Sequence, residues 1–356
     1  MTTEALLDKL YAQLTLAQEP GTAVELDVEA VRQVVRLAKE QLEGQPAIQA
    51  LGGNIYVVGD THGQLHDILN YFEILGSPMT HNYLFLGDVI DRGRQSIECL
   101  VLMLVCKLRR PSNFFLIRGN HETEDLATSQ RGQTLRQECR DRYPCRGDDL
   151  FQSLVSVFPY LPIAAVIGRR ILCLHGCIAS TTDLRLLSSL VLPISVEAAP
   201  PHLKVMLADL LWSDPLGPGI GSGVEPGQQD ATVTYGSGDS QSRFPVYYNR
   251  RRNSGELVSD ELACHLLDEY GFDLLVRGHE CYADGISTTP SGRIFTVFGA
   301  THYYQSNEDV TAATVMVISE DLTVRFVQFY AEADGTVAIA SEPFTRPPGG
   351  PGVRAR

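Results

Sequence analysis

The stretch YLFLGDVIDRG, Tyr83–Gly93, runs from four apolar residues straight into a turn that holds two aspartates, an arginine and two glycines. A short apolar run bounded by such a turn reads as a buried strand. Crowding carboxylates at its end costs free energy unless a cation or another partner compensates them. The same grammar recurs in IYVVGDTHG (Ile55–Gly63), FFLIRGNHE (Phe114–Glu122), ILCLHG (Ile171–Gly176) and LLVRGHE (Leu274–Glu280). Each predicts a buried strand with polar groups at its carboxyl end. Helical patterns at His66–Leu75 and Ser96–Leu108 lie between some of them. Strands alternating with helices argue an α/β fold, and ligands in such sheets gather at the carboxyl ends of strands.

Outward from these runs the pattern changes. Residues 1–45 predict helices, with Leu6, Leu7, Leu10, Tyr11 and Leu14 on one face and Val28, Val31, Val34, Val35 and Ala38 on another. Leu216–Pro245, rich in Gly, Ser, Pro and Gln, reads as a long loop. RIFTVFGA and ATVMVISEDLTVRFVQFY alternate apolar and polar residues and predict β-hairpins, with a turn at Glu320-Asp321. The Pro-, Gly- and Arg-rich end, residues 341–356, reads as disordered.

Composition sets limits. The 356 residues are 44% hydrophobic and 20% charged, ordinary for a globular protein. A net charge of −14 argues against nucleic acid or an anionic membrane as the main partner. No apolar stretch is long enough to span a bilayer, and no leader pattern opens the chain. Eight cysteines without disulfide-framework spacing suggest a reducing compartment. The expected location is the cytoplasm, with the nucleus left open, and not outside the cell.

The strand ends collect Asp60, His62, Asp88, Asp91, Arg92, Asn120, His121, His175 and His279. Carboxylate, imidazole and carboxamide together suit a divalent first-row metal such as Mn, Fe or Zn. Such ions make the charge in the turn at Asp88 tolerable, and Gly59, Gly87 and Gly119 are expected to bend the backbone so that the next side chain enters the site. A lone histidine is more often a satisfied polar residue than a ligand, and GDTHG alone could be a solvated turn. Five such turns at strand ends are hard to reconcile with that reading. Cys173 and Cys177 flank His175, but no second cysteine pair completes a zinc tetrahedron, so they read as structural. Asp148-Asp149 reads as solvated, and RGDD (Arg146–Asp149) as a chance match to an adhesion tripeptide.

GDTHGQ, GDVIDRG and GNHE, in this order and spacing, resemble the signature of the PPP family of serine/threonine protein phosphatases, within the calcineurin-like metallophosphoesterases. LLWSDP (Leu210–Pro215), LHGC (Leu174–Cys177) and RGHE (Arg277–Glu280) extend the resemblance from about residue 45 to 330. GDTHGQ, GNHET and DLTVRFVQFYA look most like the type-5 and EF-hand-associated members. The chain carries neither TPR repeats nor an EF-hand loop, so it looks like a bare catalytic domain. The resemblance implies a central β-sandwich flanked by helices with metals at the C-terminal strand ends. It divides the chain into N-terminal helices (1–45), a catalytic domain (46–335) with an inserted Gly/Ser-rich loop (216–245), and a disordered tail (336–356).

Carried over to this sequence, the resemblance implies two metal ions, Mn or Fe with Zn. Asp60 and His62 would bind the first, Asp88 would bridge, and Asn120, His175 and His279 would complete the second. His121, oriented by Asp91, would be the general acid, and Arg92 would hold phosphate oxygens. The implied reaction is in-line attack by a dimetal-bridged hydroxide on phosphoserine or phosphothreonine in proteins, without a phosphoenzyme. Partners would be phosphoprotein substrates, with room for a regulatory subunit. Counting back from His279 places a second phosphate-binding arginine at Arg252, but Arg250 and Arg251 adjoin it and the inserted loop leaves the register open. HGC stands where the family has HGG, and GATHYY (Gly299–Tyr304) replaces SAPNYC, which aligns Tyr303 with the family's active-site tyrosine and puts Tyr304 in place of a cysteine. Two other functions compete: hydrolysis of a dinucleoside polyphosphate on the same metal core, and a catalytically weak module that binds phosphoproteins.

Overall fold

A computed structural model describes the chain except for residues 1, 17–19, 129–132, 218–228, 237–240, 302, 304–310, 332–336, 340–344 and 347–356. Two mixed sheets form its centre. The first has the order Val337–Ile339, Val324–Ala331, Ala313–Ile318, Ile55–Val58, Asn82–Phe85, Phe114–Leu116, with Thr345–Arg346 also paired to Val324–Ala331. The second has the order Ile48–Leu51, Ala164–Ile167, Ile171–Leu174, Leu274–Arg277, Ile294–Val297, Ile286–Thr288. Val57, Leu84 and Met316 of the first pack with Cys173, Val276 and Val297 of the second in one hydrophobic core. This is the sandwich that the family resemblance implies.

Helices cover both outer faces. Val28–Leu42 starts where the Asp27 carboxylate accepts from the amides of Glu29 and Ala30, and buries Val31, Val34, Val35 and Ala38. Together with Thr3–Thr15 it shares a core with Ser96–Arg109 and with the outer face of the first sheet. Leu184–Ser189, Pro201–Trp212 and Asp260–Tyr270 cover the second sheet. Asp260–Tyr270 begins on the Ser259 hydroxyl and ends at Gly271, whose φ of 76° suits a glycine.

Ile55–Val58, Asn82–Phe85 and Phe114–Leu116 are parallel, as are Ile171–Leu174, Leu274–Arg277 and Ile294–Val297. All five motif-bearing strands therefore deliver their carboxyl ends to one seam. There the two sheets are stitched by a parallel bridge between Asp60 and Phe298.

The structure corrects three sequence expectations. Leu216–Pro245 is not simply a loop: Ala231–Tyr235 and Ser242–Tyr248 are antiparallel strands that extend a small sheet through Glu256–Val258 to Asp214–Pro215. Their Thr, Val, Tyr and Phe residues favour a pleated surface, and the Tyr235 and Phe244 rings pack at 4.9 and 5.0 Å on His265. Ile294–Val297 forms a hairpin with Ile286–Thr288 but is buried at every position rather than alternately, because a parallel neighbour and both core faces enclose it. Within the stretch read as a tail, Val337–Ile339 and Thr345–Arg346 are strands; residues 347–356 lie outside the described residues.

Candidate metal centre at the strand ends

The turns that carry the polar groups are held open by the backbone itself. The amides of Thr61 and His62 donate to the Asp88 carbonyl at 3.1 and 2.9 Å, and Gly63 donates to Val89. His62, Asp88, Asp91, Arg92 and His279 all have positive φ, between 42° and 73°. Side-chain-bearing residues adopt that region at a cost, and such strain collects at functional sites. The expected role of the glycines is thereby revised. Of Gly59, Gly87 and Gly119, Gly87 alone turns left-handed, at φ 94°. Gly59 and Gly119 are needed for closeness: a Cβ would lie 2.0 Å from the Val297 carbonyl oxygen at one and 2.2 Å from Asp88 Oδ1 at the other.

The structure brings the expected ligands together. His175 Nδ1 faces the Leu86 carbonyl at 2.9 Å and His62 Nδ1 faces the Ile90 carbonyl at 2.9 Å. A carbonyl only accepts, so both Nδ1 atoms carry the proton and in the neutral rings each Nε2 presents a lone pair. His175 Nε2 sits 2.7 Å from Asn120 Oδ1, 3.1 Å from His279 Nδ1 and 3.4 Å from Asp88 Oδ2. His62 Nε2 lies 3.7 Å from Asp88 Oδ2 and 3.8 Å from Asp60 Oδ2. Acceptors converging on acceptors make a cradle for a cation. Asp88, His175 and His279 offer ligand atoms within 4.8 Å of one another, as do His62, Asp88 and His121, so the Asp88 carboxylate is common to both groups. Asp60 stands beside both, its oxygens 2.9 and 3.1 Å from the His279 amide. His279 Nε2 is buried without a hydrogen-bond partner among the described residues. The donor set fits divalent metal ions.

Burial and charge shift these groups in opposite directions. Burial drives the Asp60 carboxyl up to about 6, against the pull of His175. Burial pushes His62 down to about 3, helped by His121. It would raise Asp88 too, but His175 and His121 hold that carboxyl well below its usual range. Burial opposes charge on His175, yet Asp88 and Asp60 outweigh it and lift the imidazole to about 9. A proton on His175 thus offsets part of the buried negative charge. A divalent cation among the same atoms would offset more and expel that proton.

The remaining expected residues ring the cradle. His121 Nδ1 lies 2.7 Å from Asp91 Oδ2, and its Nε2 points toward Asp88 Oδ2 at 4.0 Å. Burial works against the His121 charge, but Asp88 and Asp91 raise its pKa above the ordinary value. Arg92 is exposed at the rim. The Tyr303 ring lies 5.1 Å from that of His62, its hydroxyl pushed up to about 12 by burial. Arg252 Nε donates to Asp214 at 2.9 Å and its NH2 group to the His279 carbonyl at 2.9 Å. Arg250 turns away to Asp230, 61% exposed, and Arg251 is exposed. Tyr304 lies outside the described residues. Cys173 and Cys177 are buried, and desolvation holds the Cys177 thiol at about 12, unlike a ligand. Asp148, exposed, pairs with Arg136 and Arg140.

Three supporting residues lie inside the same motifs, in roles that a lone sequence leaves hidden. Glu122 accepts from the amides of Asp88, Val89 and Gly119 at 2.8 to 2.9 Å and fixes the Asp88 turn. Asp214 accepts from Asn249, Arg252 and Arg277. Arg277, fully buried, also bonds Gly176, Glu280 and Thr296. A charged residue flanked by a buried run was the available signal.

The family described as Metallophos, calcineurin-like phosphoesterase, matches residues 53–283. A protein serine/threonine phosphatase from Saccharomyces cerevisiae, with similarity to human phosphatase PP5, is similar at 23% identity over 97% of this chain and 96% of that one, TM-score 0.68. A cold-active protein-tyrosine phosphatase of a psychrophilic Shewanella is similar at 15% identity over 84% of each chain, TM-score 0.53. Both likenesses are of fold. Because the family match covers well over half of the sequence, and the seam it spans gathers a metal-type donor set, the chain belongs to the calcineurin-like phosphoesterases, hydrolases of phosphate esters that use divalent metal ions.

Proposed function

We propose that the protein hydrolyses phosphoserine and phosphothreonine esters in proteins. The carrying observation is one carboxylate, Asp88, common to two donor groups, with the His121–Asp91 pair beside it and the Arg252 guanidinium on the His279 carbonyl. Asp60, His62 and Asp88 would hold one ion, and Asp88, Asn120, His175 and His279 the other; Mn, or Fe with Zn, suits these donors. Bound there, the pair would supply water activation and neutralise phosphoryl oxygens. His121 gives a proton to the departing serine or threonine oxygen, a poor leaving group without it. Asp91 keeps that imidazole charged and oriented. Arg92 and Arg252 grip phosphate oxygens, and Arg252 arrives pre-aimed because Asp214 and the His279 carbonyl fix its fork. Tyr303 closes the cleft over His62.

This reading includes phosphoprotein partners, leaves room for a regulatory subunit and places the protein in the cytoplasm or nucleus. No described helix is long and apolar enough to cross a membrane. The test is turnover of phosphoserine and phosphothreonine peptides against diadenosine tetraphosphate, with and without Mn²⁺, beside metal analysis. Phosphopeptides should be the better substrates and two equivalents of metal should be found. Preference for the dinucleotide would move the assignment to small-molecule hydrolysis, and phosphopeptide binding without turnover to a binding module.

A further inference from the structure

Asp91 sits in a closed ring of hydrogen bonds that reaches well outside the cleft. Its Oδ2 holds His121 Nδ1 at 2.7 Å, and its Oδ1 accepts from the Leu135 amide at 2.7 Å. Leu135 opens the helix Leu135–Arg142. One turn on, Glu138 reaches back across to a second helix start, accepting from the amides of Ser96 at 2.9 Å and Ile97 at 3.3 Å. The Ser96 hydroxyl in turn accepts from the Asp91 amide at 3.1 Å. The path Asp91, Ser96, Glu138, Leu135 and back to Asp91 therefore clamps both the backbone and the carboxylate of the residue that holds His121.

We propose that Glu138 is a positioning residue for the reaction: by tying two helix N-termini together it fixes Asp91, and through Asp91 the line along which His121 delivers its proton. The proposal rests on the reading of His121 as the acid. Glu138 is 1% exposed. A buried carboxylate is retained only where partners compensate it, and here two helix-start amides and Arg142 NH1 at 2.8 Å do so. Arg142 also pairs with buried Glu98, whose Oε1 accepts from the Val24 amide at 2.7 Å. Val24 belongs to the segment between the two N-terminal helices, so that segment braces the ring from outside. Proton transfer is steep in distance and angle, so a small displacement of Asp91 costs rate on substrates that need the proton.

The experiment compares Glu138→Gln, Ser96→Ala and His121→Asn on a phosphoserine peptide and on p-nitrophenyl phosphate, with metal content recorded. Gln keeps one acceptor and sets an NH2 group against the other amide, which opens the ring. The expected result is a fall of about tenfold in kcat on the peptide, under about twofold on the aryl ester, with KM and metals unchanged. Ser96→Ala should show the same differential at smaller size, and decides the matter if Glu138→Gln does not fold. Equal losses on both substrates, or no loss on the peptide, would overturn the proposal. If His121→Asn itself shows no differential, the acid reading has failed instead. Adding Glu138→Gln to His121→Asn should bring no further peptide-specific loss; an additional one would mean that Glu138 acts elsewhere.

Discussion

The two sheets bring opposite charge to the same seam. The first ends in Asp60, Asp88 and Asp91, with His62, Asn120 and His121 between them. The second ends in His175, Arg277 and His279, and Asp214 beside it steadies Arg252. Neither edge is satisfied alone: Asp60 accepts from the His279 amide of the opposite sheet, and His175 Nδ1 donates to the Leu86 carbonyl. The cleft is thus a product of sheet docking, and the carboxylate edge and the basic edge should fail in different ways. Loss of Asp60 or Asp88 on the first, or of His175 or His279 on the second, should remove metal; loss of Arg252 beside the second should spare metal and weaken the hold on phosphate.

The sharpest break is expected at Asp88. Asp88→Asn should lose at least one metal and about 1,000-fold or more in turnover, since a neutral amide cannot balance two cations. Metal analysis beside kinetics checks it; two retained metals with near-normal rate would dissolve the division between the edges. His121→Asn comes next. It should keep the metals and lose about 100-fold or more on phosphopeptides but less on p-nitrophenyl phosphate, whose leaving group needs little protonation.

On the basic edge, Arg252→Ala should keep both metals and raise KM for phosphopeptides about tenfold, whereas Arg250→Ala, aimed at Asp230 on the surface, should change it less than about twofold. The reverse order would shift the phosphate grip along the Arg250–Arg252 run. A smaller effect joins the two edges. His175, lifted to about 9, is protonated near neutrality and must shed that proton to bind metal. Raising the pH from 7 to 8 should therefore tighten Mn²⁺ binding to metal-stripped protein about tenfold, and calorimetry at both values reads it. Affinity that is flat over this interval would mean that His175 does not face the ion.

How legible each region was follows from how local its signal is. The strand ends could be read because an apolar run breaking into Gly, Asp, Asn and His is a short-range pattern, and the five strands stand where those breaks put them. The hairpin of Ala231–Tyr235 and Ser242–Tyr248 was hidden by the glycines and serines around it, and by its dependence on a long-range surface at His265. Leu135–Arg142 escaped because only Leu135, Glu138 and Cys139 are buried in an otherwise charged helix. Glu122 and Asp214 were in plain view, but their partners are amides and guanidiniums brought near by folding. The glycines were seen, and their work misjudged, since close approach between strands cannot be read from one of them.

The left-handed backbone at His62, Asp88, Asp91, Arg92 and His279 has an evolutionary edge. Glycine would take those conformations with roughly 1 kcal/mol less strain at each position. At Asp88 and Asp91 that relief is outweighed, because glycine would leave the amides of His121 and Leu135 without their acceptors. A laboratory lineage selected for heat resistance alone should accept glycine first at exposed Arg92, and lose its hold on phosphate as it hardens. Only continued demand for turnover would keep bulky, charged side chains on a chain path that resists them.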